Sequence, residues 1–180
     1  MRNASSTAAA GHANVAIGVY PLYGNTGNYN IGIGYKAMAG YGIDSSSSVA
    51  PITGSSNVAI GGFYTMANLI SGSNNVAVGD TALQLNTTAN SNTAIGAYTL
   101  RYSNGAGNTA LGYYAGYSDT PDGRSTIDTY MTFLGTIAGR STAVASTTAL
   151  TNSTAIGYGA TVSASNQVVL GNSSVTLILS

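Results

Sequence analysis

A five-residue unit, Asn followed by Val or Thr, Ala, an aliphatic residue and Gly, recurs along this chain and restricts it to very few folds. It reads Asn14-Val15-Ala16-Ile17-Gly18, then Asn30-Ile31-Gly32-Ile33-Gly34, and again from Asn57 to Gly61, Asn75 to Gly79, Asn92 to Gly96 and Asn108 to Gly112. Looser copies run from Met131 to Gly135, Ser153 to Gly157 and Gln167 to Gly171. The undisturbed interval between repeat glycines is about 16 to 18 residues. A unit that short cannot bury its own apolar residues, so successive copies must stack as coils around one continuous core.

Within a copy, Val or Thr and the aliphatic residue are separated by Ala, which is the two-residue period of a strand and not the 3.6 of a helix. The residue before each glycine is aliphatic throughout: Ile17, Ile33, Ile60, Val78, Ile95, Leu111, Leu134, Ile156 and Leu170. This column is expected to fill the interior. The small column beside it, Ala16, Gly32, Ala59, Ala77, Ala94, Ala110 and Ala155, lies on the opposite face and is expected to be approached closely too. After the glycine corner a second half-coil follows, seen as Ala37-Met38, Thr65-Met66, Ala82-Leu83 and Thr99-Leu100. Two short strands per coil are therefore expected, with Gly61-Gly62 marking a bulge and the Asn at each head forming an amide ladder or capping the turn.

The fold class that follows is all-β, a parallel β-roll or β-solenoid of about nine short coils, roughly 40 Å long at the spacing of adjacent strands. Residues 1–12 read as a lead-in, 13–175 as the repeats and 176–180 as the end. Inserted loops fall near 43–56, 117–130 and 140–152, each rich in turn-forming residues. A single thin roll leaves one small-residue face without a partner. Association of three chains about a long axis would cover it, so a homotrimer is expected.

Charged residues make up 6% of the chain, against about a quarter in ordinary soluble proteins. The bases Arg2, Lys36, Arg101, Arg124 and Arg140 are scattered and net charge is zero, which excludes a phosphate-backbone site. Cysteine is absent, so disulfides and thiolate metal sites are excluded. No run reaches the about 20 apolar residues of a spanning helix, so no membrane insertion by this segment is expected. Met1 to Thr7 lacks the apolar run of a secretory signal.

Chemistry is sparsely represented. His12 lies outside the repeats with no acid beside it in sequence, and Asp119, Asp122 and Asp128 lack the regular spacing of a calcium loop, so a turn-forming role is preferred over a metal site. No catalytic residue, metal ligand or cofactor is assigned. The exposed resource is tyrosine: Tyr20, Tyr35, Tyr98, Tyr113, Tyr114 and Tyr158 each follow a repeat glycine by one or two positions and should line up along the rod. Such a stripe can stack on sugar faces, or it can simply pack coil against coil.

The Asn-Thr-Ala-Ile-Gly repeat resembles the head domains of trimeric autotransporter adhesins, which are left-handed parallel β-rolls assembled as trimers. It is also similar to repeats of bacteriophage tail fibres, whose spacing is looser. Ser153 to Val162 followed by Asn166 to Asn172 carries the most specific match, and the resemblance spans about residues 13 to 175. An adhesin would add an export signal, a coiled-coil stalk and a membrane barrel, which turns the expectation toward a phage-type fibre.

What the resemblance implies is a non-enzymatic trimeric module for attachment to a cell surface, placed in a virion tail fibre or at an extracellular surface. Its partners would be further copies of itself and a host surface glycan or protein. The alternatives are a structural subunit of an extracellular filament assembled end to end and, further off, a surface-glycan depolymerase.

Overall fold

The computed structural model describes residues 11–40, 51–117, 127–144 and 148–175. Among them every regular element is a short strand: β1 (Val15–Ile17), β2 (Ile31–Tyr35), β3 (Val58–Phe63), β4 (Val76–Val78), β5 (Thr93–Ile95), β6 (Thr109–Leu111), β7 (Thr132–Leu134), β8 (Gly139–Arg140), β9 (Thr154–Ile156), β10 (Thr161–Val162) and β11 (Val168–Leu170). The expected all-β parallel solenoid is what the chain forms. Nine of the strands make one sheet in the order β1-β2-β3-β4-β5-β6-β7-β9-β11, and β8 with β10 makes a second, two-stranded one. All pairings are parallel and place repeat on repeat, as in Thr93↔Thr109, Ala94↔Ala110 and Ile95↔Leu111. About seven turns are formed, fewer than the nine coils expected.

The two strand faces are the reverse of the sequence expectation. Ala59, Ala77, Ala94, Ala110 and Ala155 are fully buried and belong to the core. Of the nine aliphatic residues read as the interior column, Ile17, Ile95, Leu111, Ile156 and Leu170 are exposed, whereas Ile33, Ile60, Val78 and Leu134 are half-buried. None lies inside its own coil. The physical reason is the thinness of the roll: the opposite wall sends Leu22, Met38, Met66, Leu83 and Leu100 across the interior, and only a methyl group fits beneath them.

One coil inverts this division of volume and so tests it. Phe133 replaces Ala in the small column of β7, and the opposite wall there carries Gly116 where earlier coils carry Leu or Met. A Cβ placed on Gly116 would lie 2.7 Å from Phe133 Cδ2. Large and small have changed walls, and the core stays filled.

The second half of most coils is a pair of tight turns and not the expected second strand; among the described residues only β8 and β10 pair there. Its backbone alternates into the left-handed region, at Lys36 and Met38 (φ 52 and 50), Thr81 and Leu83 (φ 56 and 50) and Tyr98 and Leu100 (φ 60 and 47). Each such non-glycine residue costs about 1 kcal/mol or more, so burial of the leucine or methionine has to offset it. The corner itself needs glycine: Gly96 has φ 130, and an added Cβ would stand 2.6 Å from the Gly112 carbonyl oxygen of the next coil. The bulge read at Gly61-Gly62 is present, since Ile33 pairs Ile60 but Tyr35 pairs Phe63.

The head asparagines form the expected ladder. Asn75 N–H donates to Asn57 Oδ1 (3.0 Å), its amide Nδ2 donates to the same oxygen (3.0 Å) and to Ala89 O (2.9 Å), and its own Oδ1 accepts from Asn92 N–H (2.9 Å). The run continues to Asn108, whose Oδ1 accepts from Met131 N–H (2.9 Å). Asn30, Asn57, Asn75 and Asn92 are fully buried, so each link satisfies backbone that water cannot reach.

Of the lead-in, residues 1–10 lie outside the described residues, as do 176–180, 41–50 in the first loop, 118–126 with Asp119 and Asp122 in the second, and 145–147 in the third. The described parts of these loops are more ordered than a plain insertion. Ile52 is buried and bridges to Asn25, Thr129 bridges to Thr151, and Arg140, expected in a loop, belongs to β8.

Two substitutions test this packing by thermal or denaturant unfolding. Phe133→Ala should cost about 3 kcal/mol through the cavity it leaves. Asn75→Ala should cost about 2 kcal/mol, because it strands the buried Asn92 N–H, whereas the Ala89 carbonyl keeps the bond from Asn86 Nδ2. A loss below about 0.5 kcal/mol in either single variant would contradict the account.

Candidate functional site

Two surfaces and one buried cluster carry what chemistry the described residues have. The first surface is the outer face of the nine-stranded sheet. Because side chains alternate along a strand, burying Ala turns both of its neighbours outward. Val15 and Ile17, Val58 and Ile60, Val76 and Val78, Thr93 and Ile95, Thr109 and Leu111, and Val168 and Leu170 therefore form two parallel columns in register. Ile17 is 57% and Leu111 51% exposed. The stack is roughly 40 Å long and the face about 10 Å wide, giving a patch on the order of 400 Å² that is aliphatic along one column and carries Thr93, Thr109, Thr132 and Thr154 in the other.

The second surface lies past the glycine corner and contains the tyrosines singled out in the sequence. Tyr98 stacks on Tyr114 of the next coil with centroids 4.8 Å apart, and Tyr113 meets both edge-on, at 6.2 and 4.4 Å. Tyr114 touches Tyr117 at 4.5 Å, and Tyr117 touches Tyr102 at 5.2 Å. Desolvation, with a hydrogen bond that the Tyr114 hydroxyl donates to Tyr113, pushes the Tyr114 phenol above its ordinary value. Further along, Tyr35 stacks on Phe63 at 5.1 Å. Tyr20 meets Tyr23 edge-on at 6.1 Å, and Tyr158 stands two-thirds exposed. The stripe is thus three separate groupings, and Tyr158 makes no ring contact among the described residues.

Sequence reasoning missed the residues that complete the two larger groupings. Tyr102, Tyr117 and Arg101 join the first; Phe63, Tyr64 and Lys36 join the second. Arg101 Cζ sits 5.7 Å from the Tyr98 ring centroid and 5.1 Å from that of Tyr102, and its Nε donates to Gln84 Oε1 at 2.8 Å. Lys36 Nζ lies 5.3 and 5.0 Å from the Tyr35 and Tyr64 centroids and donates to the Tyr64 hydroxyl at 3.2 Å. Burial works to lower the Lys36 ammonium, yet Tyr64 and Tyr35 together outweigh it and hold the group above its ordinary range. A base a few residues past a repeat glycine was the available signal.

The buried cluster joins the second and third insertions. Asp128 accepts from Arg140 Nη1 with both carboxylate oxygens at 3.1 Å and from Leu150 N–H at 2.7 Å, while Arg140 Nη2 donates to Thr148 O at 3.0 Å. Burial pushes the Asp128 carboxyl above its usual range, opposed by the Leu150 N–H and by Arg140. Asp128 is therefore engaged as a fastener between the second and third loops. Asp119 and Asp122 lie outside the described residues, and no group of three metal-ligating side chains occurs among the described ones. His12 is exposed, and its backbone N–H donates to Asn28 Oδ1 at 2.7 Å.

Compared with protein-family models, curated proteins and solved structures, the chain matches none.

Removing one partner of the buried pair should be costly. Arg140→Met is expected to lower stability by about 3 kcal/mol in chemical unfolding, and a change under about 1 kcal/mol would show that Asp128 is held by the backbone alone.

Proposed function

We propose that this chain is a non-enzymatic, homotrimeric fibre module that attaches a phage tail fibre or an adhesin to a cell surface. The observation that carries the reading is the outward aliphatic face. A flat patch of about 400 Å² that runs the length of the sheet matches the largest patch a monomer leaves in water, and patches of that size are often functional. Its columns are straight and in register, so copies of the same face can meet along their whole length. Closed cyclic association covers such a face without leaving a free one. The resemblance of the repeat to adhesin heads and phage fibres selects three as the number of copies. The role of the axis-facing layer thus passes from the alanine column, where the sequence placed it, to the aliphatic one.

The ends of the sheet favour a second reading. Within the described residues β1 pairs only with β2, and β11 only with β9, so a ladder of backbone groups continues past each end. Head-to-tail stacking of copies would extend the rod into a filament.

Sedimentation equilibrium or native mass measurement separates these readings. The expected result is three chains of 18.0 kDa, with Ile95→Asp shifting the protein to monomers that keep their β-type circular dichroism. A native monomer, or a trimer that tolerates Ile95→Asp, would contradict the proposal. Open-ended polymers would transfer it to the filament reading.

A further inference from the structure

The structure assigns the aromatic ledge around Arg101 as a binding site for an acidic polysaccharide whose sugars carry carboxylates, an inference that rests on the attachment reading and names its ligand class. The ledge is built from two successive coils: Tyr98, Arg101 and Tyr102 follow β5, and Tyr113, Tyr114 and Tyr117 follow β6. It lies beyond the glycine corner, on a different wall from the aliphatic face, so covering that face does not cover the ledge. Tyr113 is 53% exposed and the ring contacts run from it without a break to Tyr102. Rings locked against one another present π-faces and hydroxyls with little entropy left to lose, which suits the C–H faces and hydroxyls of a sugar.

Arg101 supplies the choice among sugars. Its guanidinium is held by the Tyr98 and Tyr102 rings and by the bond from Nε to Gln84, while its Nη atoms make no hydrogen bond among the described residues. A guanidinium fixed at one nitrogen with its outer fork open matches a carboxylate bidentately. The nearest described acid along this edge, Asp80, leans to the other side: a Cβ on Gly62, one coil earlier, would lie 2.7 Å from Asp80 Oδ1. The similar grouping at Lys36 is a packing unit by contrast, because Lys36 is 7% exposed and bonded to Tyr64. Size also argues for a glycan. Two coils span only about 10 Å, which accommodates one or two sugar rings but not the about 800 Å² that a protein partner would cover.

The chain contains no tryptophan, so its intrinsic emission comes from its 13 tyrosines, of which the ledge holds Tyr98, Tyr102, Tyr113, Tyr114 and Tyr117. The experiment titrates the native full chain with hexagalacturonate and with neutral maltohexaose, following tyrosine fluorescence at low and raised salt. A saturable change with hexagalacturonate, weaker in high salt and at least about tenfold weaker for maltohexaose, is expected. Arg101→Gln should erase that preference, Tyr113→Ala should weaken both ligands, and Tyr158→Ala, away from the ledge, should leave binding unchanged. The melting temperature of each variant verifies its fold. No saturable response at millimolar hexagalacturonate, or wild-type binding by both Arg101→Gln and Tyr113→Ala, overturns the assignment. Retention of labelled protein on bacterial cells separates the two levels. Cells that hold wild type and Tyr113→Ala equally sink the ledge and leave attachment standing; hexagalacturonate binding with retention on no cell does the reverse.

Discussion

The width of one coil governs this molecule. A chain that returns on itself within about 16 to 18 residues encloses two walls so close that they cannot both carry large side chains. Leucine and methionine on the turn wall require alanine on the strand wall, and the coil with Phe133 requires Gly116 across from it. Everything else follows from that exclusion. The strand keeps its alternation, so alanine inward forces valine, threonine, isoleucine and leucine outward, and the roll acquires a long, largely apolar flank. The buried asparagines then close the interior against water, each bonding the backbone of the next coil.

The fold was legible because the repeat imposes one geometry many times over. Glycine at the corner, asparagine at the head and the two-residue alternation each state a backbone requirement that no neighbour can override. Orientation was not legible. Alternation says that Ala94 and Ile95 point to opposite sides but not which side is inside, and the general preference of isoleucine for interiors points the wrong way here. The deciding information sits in the opposite wall, where Leu83 and Leu100 take the volume, and their inward path depends on left-handed backbone that their residue types do not advertise. The same cause hid the turn character of the second half-coil.

The candidate surface was partly legible. Position after a repeat glycine selected six tyrosines, three of which, Tyr98, Tyr113 and Tyr114, gather in one ledge. Tyr102, Tyr117 and Arg101 escaped because they are brought in by the tight turn and by stacking between coils, neither of which is local in sequence. Asp128 and Arg140 are a further case: both were placed in separate insertions, and the solenoid brings these side by side. Under the proposed reading, the aliphatic wall serves assembly and the aromatic wall at the corner serves recognition.

The central claim is that alanine faces into the coil and the aliphatic column faces out of it. The chain has no cysteine, so single Ala94→Cys and Ile95→Cys variants report on adjacent residues without background. Ala94→Cys should resist a thiol reagent until the protein unfolds, and Ile95→Cys should join chain to chain on oxidation. Rapid labelling at position 94 in the folded protein, together with an inert, uncrosslinked position 95, would show that the walls have been assigned the wrong way round.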